Sequence, residues 1–138
     1  MAGNRLGYRG YVTSRAFGAY SIPVPLQSLA LRDYCQRNSL TYVLPVNENN
    51  FPNSYMVLEG MIQDLENFEG IVMCSMHMLP QRAERRRKIY NRVLEQGCTL
   101  HILLEGLVIA RAEDVERAEE LWLLNQLAAR VPKTLPAN

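Results

Sequence analysis

Apolar residues along the chain fall into two alternating patterns. Short runs rich in β-branched and aromatic residues have the length of strands and lie at 9–15, at 40–46, from 70 onward and at 99–110. Each run is followed by a stretch in which apolar residues recur every three or four positions, as on one face of a helix. The clearest of these stretches carries Leu58, Met61, Ile62 and Leu65. The pattern predicts four strands alternating with four helices.

Polar residues, a proline and a glycine mark the boundaries of the predicted helices. Either Asn53 or Ser54 is expected to cap the second helix. The third helix is expected to follow Pro80 and to close at Gly97, and the last to run over about 112–131.

This order of elements predicts the fold class. Strands that alternate with helices through short connections pair in parallel, and right-handed crossovers place helices on both faces of the sheet. We therefore expect a single α/β domain over 1–138, a small three-layer, flavodoxin-like structure with a parallel sheet of four or five strands. Its ordered core is expected at about 9–131. The tail at 132–138 is expected to be loose, because it contains two prolines and small residues.

The last predicted helix is apolar over much of its circumference and includes the only tryptophan. One apolar stripe is enough to pack on the sheet, so the remaining surface at Leu121, Trp122 and Leu124 predicts a homodimer interface. A helix with a broad core-facing side explains the same pattern. The sequence leaves both interpretations open.

The composition mainly excludes certain classes of protein. Hydrophobic residues are 48% and charged residues 21% of the chain, which are ordinary globular values and argue against disorder. The formal net charge of +1 argues against a generally basic nucleic-acid binder, although a local basic patch is compatible with it. No signal-peptide pattern or membrane-length apolar run is present, and the three cysteines lack close spacing. We expect a soluble, cytoplasmic protein with no membrane contact.

Four segments share the order and spacing of one catalytic domain. They are GYVTSR, PLQSLALRDYCQRN, YMVLEGMIQDLENFEGIVMCSMHML and VLEQGCTLHILLEG. Together they resemble the catalytic domain of resolvase-type serine recombinases, which implies a resolvase-like parallel sheet. The residues that recombination requires do not match: Arg15 stands where the nucleophilic serine is expected, and Thr13 stands where the first arginine is expected. The resemblance thus implies the fold and argues against recombination.

A second resemblance covers nearly the whole chain. It is carried by RGYVTSRAFGAYSIPVPLQSLALRDYCQRNSLTYVLPVNEN and by SYMVLEGMIQDL. These segments are similar to a small family of bacterial proteins found sporadically in carbohydrate, or surface-polysaccharide, biosynthesis clusters. The resemblance implies polysaccharide or lipopolysaccharide sugar metabolism and supplies no catalytic residues.

Arginines crowd the predicted start of the third helix. Helix N-termini favour acidic side chains because their unpaired amides carry partial positive charge, yet the first two turns contain Arg82, Arg85, Arg86 and Arg87. A bound anion would reverse this argument, since amides and guanidinium groups both favour it. The alternative is a solvated basic face, or pairing with the acidic stretch AEDVERAEE of the last helix.

Polar side chains also follow the predicted strands, at the edge where open parallel sheets bind ligands. The expected substrate or anion-binding residues are Thr13, Ser14, Arg15, Ser75, Gln81, Arg82 and Arg85. His77 follows the third strand and suits general acid or base catalysis, with Glu48 or Glu105 as its partner. A structural role for His77 is the alternative.

These residues define the functional expectation. The favoured function is a bacterial surface-carbohydrate biosynthesis protein that binds a phosphorylated or nucleotide-linked sugar, with isomerisation, epimerisation or elimination as the reactions an acid/base pair would serve. One alternative is a non-catalytic binding or regulatory partner of a pathway enzyme. Another is a degenerate resolvase-like nucleic-acid binder, which the missing recombinase residues disfavour. No glycine-rich nucleotide motif or zinc-ligand spacing is present, so neither a cofactor nor a metal is expected.

Overall fold

The protein, described here by a computed structural model over residues 5–18 and 21–130, is built from strands and helices in alternation. The strands are β1 (Tyr8–Val12), β2 (Tyr42–Asn47), β3 (Gly70–Met73), β4 (Thr99–Ile102) and β5 (Leu107–Ile109). The α-helices are α1 (Val24–Arg37), α2 (Met56–Gln63), α3 (Ala83–Glu95) and α4 (Ala112–Arg130). Single 3₁₀ turns at Leu65–Asn67 and Met76–Met78 flank β3.

The five strands form one sheet in the order β2-β1-β3-β4-β5. The first four are parallel, and only β5 runs antiparallel to its neighbour β4. α1 packs against β1 and β2, whereas α3 packs against β4 and contacts both α2 and α4. The predicted α/β fold with a sheet of four or five strands is confirmed, and the sheet is mostly parallel, with β5 as its antiparallel member. The connection after β1 leads to one side of the sheet, to β2, and the connection after β3 leads to the other side, to β4, so the chain has a topological switch point between β1 and β3.

The prediction of one continuous fourth strand at 99–110 is wrong, because this segment forms a hairpin of two strands. β4 and β5 are joined by a turn at 103–106, where Gly106 adopts φ +65°. The turn contains Leu103 and Leu104, whose amides donate hydrogen bonds to carbonyl groups at the end of β3 and just beyond it. Their apolar side chains made the turn indistinguishable from a continuous strand.

The start of α2 is capped by a side chain from the preceding loop. The Glu48 carboxylate, only 2% exposed, accepts hydrogen bonds from the amides of Val57 and Leu58, each at 3.1 Å. It also accepts a hydrogen bond from the Tyr11 hydroxyl at 2.8 Å. Burial raises the pKa of the Tyr11 hydroxyl above its ordinary range, and the hydrogen bond to Glu48 raises it further. The local cap predicted at 53 or 54 is wrong, since the capping carboxylate belongs to Glu48, in the loop that follows β2.

The structure also describes the cysteines, possible metal ligands and possible membrane-spanning helices. Cys35, Cys74 and Cys98 are buried free thiols. Within the described ranges, no set of three or more histidine, cysteine or acidic side chains could hold a metal ion. None of the helices formed by residues 5–18 and 21–130 combines the length and apolar character needed to cross a bilayer.

Two buried tyrosines offer a matched test of this core. The hydroxyl of Tyr90 has no hydrogen-bond partner among the described residues, whereas the Tyr11 hydroxyl is bonded to a buried carboxylate. Tyr11→Phe should lower the free energy of unfolding by about 1.5–3 kcal/mol, because a hydrogen bond to a charged group is lost. Tyr90→Phe should leave it unchanged or raise it by about 1 kcal/mol, because an unsatisfied buried hydroxyl disappears. Urea denaturation measures both, and equal losses would contradict the arrangement.

Candidate functional site

A cleft of about 280 Å³ opens beyond the carboxyl ends of β1 and β3, at the switch point of the sheet. Its polar and aromatic lining includes Thr13, Arg15, Asn53, Tyr55, His77 and Gln81. We call it the strand-end cleft. Four residues singled out from the sequence, Thr13, Arg15, His77 and Gln81, therefore line one cavity. They come together because parallel strands deliver their following loops to the same edge of the sheet.

The end of β1 is held by a side chain from α1. The buried amide of Gln27 accepts a hydrogen bond from the Thr13 backbone amide at 3.1 Å and donates one to the Thr13 carbonyl at 2.6 Å. The Thr13 hydroxyl in turn accepts a hydrogen bond from the Arg15 amide at 3.1 Å. Gln27 is not among the site residues predicted from the sequence. A polar residue one helical turn from buried Leu31 was the available signal.

Arg15 carries a charge that no neighbouring acid compensates. Its guanidinium donates hydrogen bonds to the carbonyls of Phe51 at 3.0 Å and Ser54 at 2.9 Å. Its guanidinium carbon lies 5.2 Å from the ring centroid of Tyr55. Among the described residues, no carboxylate forms an ion pair with it. The side chain is thus held in place by neutral groups, and no ion pair with a described residue neutralises its positive charge.

His77 lies in the 3₁₀ turn after β3, between two packing partners. Its ring centroid is 5.8 Å from that of Trp122. On Gly18, which adopts φ +59°, a Cβ atom would stand 2.9 Å from the imidazole Cδ2, so the loop after β1 packs tightly on the ring. No described residue hydrogen-bonds to either ring nitrogen. The imidazole is held by packing and retains its hydrogen-bonding capacity.

The two carboxylates expected beside His77 form hydrogen bonds with other groups. Glu105 accepts hydrogen bonds from the Ser75 hydroxyl at 2.9 Å and from the Met76 amide at 2.7 Å. Ser75, fully buried, accepts a hydrogen bond from the His77 amide at 3.1 Å. Glu105 also lines a separate groove beside α4, and Glu48 caps α2. Neither glutamate joins His77 in an acid/base pair, and both act on the backbone of loops around the cleft.

Ser14 lies outside the cleft. Its side chain is exposed, and its hydroxyl donates a hydrogen bond to the Asn50 side-chain carbonyl. Ser75 is inaccessible below the 3₁₀ turn. Of the two serines expected to contact a ligand, neither lines the strand-end cleft.

The arginines at the start of α3 have different surroundings. Arg86 is buried and forms a bidentate pair with Glu119, with both contacts at 2.8 Å, while Arg87 pairs with Glu116 at the surface. These two therefore pair with the acidic last helix, as in the alternative interpretation. Arg85 forms a bidentate pair with Glu59 at 2.8 and 2.9 Å, and this hydrogen bonding lowers the pKa of Glu59.

A second cavity of about 280 Å³ adjoins the strand-end cleft. It shares Asn53, Tyr55 and Gln81 with the cleft and adds Pro80, Arg82 and Arg85. We call it the arginine cavity. Of the four clustered arginines, Arg82 and Arg85 reach this region.

A larger cavity of about 420 Å³ lies between α2 and α3. Two of its three cations are paired, Arg85 with Glu59 and Arg92, at 3.9 Å, with Glu95, whereas Lys88 forms no ion pair among the described residues. The strand-end cleft is smaller, but it lies at the switch point of the sheet, and its lining contains a cation and no carboxylate. We therefore take the strand-end cleft as the candidate site.

The apolar surface of α4 differs from the expected one. Trp122 is only 7% exposed and packs inside the chain beneath Arg86. Leu121 is half-buried, whereas Leu124 is 60% exposed and lies near exposed Leu123 and Leu127. Self-association through α4 stays a prediction, and it now depends on these leucines without the tryptophan.

Comparison with known proteins identifies the fold. Neither a family model nor a curated protein matches the chain. Among solved structures, the chain is similar to the N-terminal catalytic domain of TP901-1 integrase, with a TM-score of 0.58 and 14% sequence identity. The similarity covers 88% of this chain and 96% of that domain. It confirms the resolvase-like fold, and none of these comparisons supports the carbohydrate-cluster family.

The contact between Gly18 and His77 generates a stability prediction. Gly18→Ala should destabilise the fold by about 1–2 kcal/mol or more, because alanine is strained at this positive φ and its Cβ would meet the imidazole. Gly60→Ala is the matched control, since Gly60 lies within α2 and an added Cβ meets nothing within 4 Å. That variant should stabilise by about 0.5–1 kcal/mol. Thermal unfolding compares them, and equal melting temperatures would refute the packing of Gly18 on His77.

Proposed function

We propose that this chain binds a phosphorylated or nucleotide-linked sugar in the strand-end cleft, as a protein of bacterial surface-carbohydrate biosynthesis. The observation that carries the proposal is the uncompensated guanidinium of Arg15 in the lining of that cleft. Guanidinium groups bind phosphate through charge-assisted hydrogen bonds. Because two backbone carbonyls already fix Arg15, little conformational entropy is lost when an anion binds.

The remaining lining supports a polyhydroxylated ligand. Asn53 and Gln81 offer side-chain amides that both donate and accept hydrogen bonds, and the Tyr55 ring supplies an apolar face. Sugars present hydroxyl groups and apolar C–H faces to the same kinds of groups. The pathway assignment itself comes from the sequence resemblance to carbohydrate-cluster proteins.

Binding, not catalysis, is the core of the proposal. With Glu48 and Glu105 engaged by backbone amides, His77 is the one residue of the expected acid/base set that lines the cleft. Any isomerisation, epimerisation or elimination here would depend on this imidazole for proton transfer. In the alternative function, a non-catalytic regulatory partner of a pathway enzyme, the same cleft binds the ligand and no proton transfer takes place.

The resolvase-like fold alone does not favour DNA chemistry. Ser14, the serine nearest to the expected nucleophile position, is exposed and bonded to Asn50 outside the cleft. Arg15 stands at the nucleophile position itself. Fold similarity at this level carries no activity with it.

Isothermal titration with glucose 1-phosphate tests the proposal. The unmodified protein should bind, and Arg15→Gln should weaken binding by about ten-fold or more, because a charge-assisted hydrogen bond contributes roughly 1.5–3 kcal/mol. Arg37→Gln removes the same charge from an exposed position on α1 and should leave the affinity unchanged. Failure of both glucose 1-phosphate and the nucleotide-linked sugar UDP-glucose to bind would overturn the proposal. Salt-sensitive binding to DNA, in its place, would favour the nucleic-acid alternative.

A further inference from the structure

We infer that the ligand of the strand-end cleft carries a diphosphate group, with one phosphate at Arg15 and the second in the arginine cavity. This inference rests on the proposed function and narrows its ligand class. The two cavities are each about 280 Å³ and share three lining residues. A ligand seated in the strand-end cleft therefore has a direct extension into the arginine cavity.

The ring of Tyr55 contacts one cation from each cavity. The guanidinium carbons of Arg15 and Arg85 lie 5.2 and 5.1 Å from the centroid of its ring. They are therefore no more than about 10 Å apart, yet each lines a different cavity. Because the two guanidinium groups line different cavities, two linked phosphates can place one phosphate beside each of them.

The arginine cavity keeps donors for the second phosphate. Arg85 uses its Nε and Nη2 atoms on Glu59, and no described residue accepts a hydrogen bond from its Nη1. Arg82 is 78% exposed, and its ion-pair contact with Glu84 is long, at 3.6 Å. Because Glu59 offsets the charge of Arg85, Arg82 supplies the net positive charge at this end. A long side chain with one weak partner can turn onto a bound phosphate at little cost.

The chemistry shared by candidate ligands is a diphosphate ester. In a nucleotide-linked sugar, the sugar occupies the strand-end cleft beside Gln81 and His77, and the nucleoside lies beyond Arg82. Free pyrophosphate and a nucleoside diphosphate present the same anionic group without the sugar. Comparing the affinities for a nucleotide-linked sugar, pyrophosphate and a nucleoside diphosphate shows whether the protein recognises the diphosphate itself or the sugar and nucleoside attached to it.

The test is isothermal titration of the full chain with glucose 1-phosphate, pyrophosphate, UDP and UDP-glucose. UDP-glucose should bind about ten-fold or more tightly than glucose 1-phosphate, because the second phosphate adds a charge-assisted contact. Arg82→Gln, and separately Arg85→Gln combined with Glu59→Gln, should remove most of this preference and leave glucose 1-phosphate binding unchanged. Arg87→Gln with Glu116→Gln removes an equivalent ion pair outside both cavities and should change neither affinity.

The outcomes separate this inference from the function on which it rests. Equal affinities for glucose 1-phosphate and UDP-glucose would overturn the diphosphate inference and leave the proposed sugar-phosphate site standing. So would a loss of both affinities in Arg82→Gln, because the arginine cavity would then not discriminate between them. If none of the four probes binds, both proposals fail. Pyrophosphate or UDP binding with the same dependence on Arg82 supports the diphosphate as the recognised group.

Discussion

The buried guanidinium of Arg86 joins the last helix to the loop that lines the cleft. It is 3% exposed, pairs with Glu119 and stacks 3.9 Å from the ring of Trp122. It also donates hydrogen bonds to the carbonyls of Pro80 and Gln81. A buried charge costs several kcal/mol unless it is paired and fully hydrogen-bonded, so these groups must be in place together. The β3–α3 loop, α3 and α4 therefore act as one rigid support for the site.

Charge is distributed unequally around that support. The two carboxylates expected in the site instead stabilise the backbone around it: Glu48 caps α2, and Glu105 holds the 3₁₀ turn after β3. Arg86 is neutralised within the core, whereas Arg15 is bound only by neutral groups. The result is a cleft that is lined by a cation and by no carboxylate. This asymmetry is the physical basis for the proposal of an anionic ligand.

The sequence predicts the fold well because strand and helix periods depend on near neighbours. It also predicts that Thr13, Arg15, His77 and Gln81 share a cleft, since parallel strands end at a common edge. It fails where the deciding contact is distant or the local composition misleads. The turn in the β4–β5 hairpin is apolar, and the cap of α2 comes from an earlier loop. For the arginines of α3, the sequence is compatible both with an anion site and with ion pairs to α4. Only the packing of the helices decides which of the two environments each arginine has.

The most direct test of the central claim, that the strand-end cleft binds an anion, is a titration of glucose 1-phosphate into isotope-labelled protein followed by amide chemical shifts. If the ligand binds in the strand-end cleft, the largest changes fall at 13–18, at 53–55 and at 75–82, the segments around the cleft. Changes are then small along the larger cavity between α2 and α3, which contains Lys88 and Arg92. Largest changes at that larger cavity, or none anywhere at saturating ligand, would show that the strand-end cleft is not the anion site.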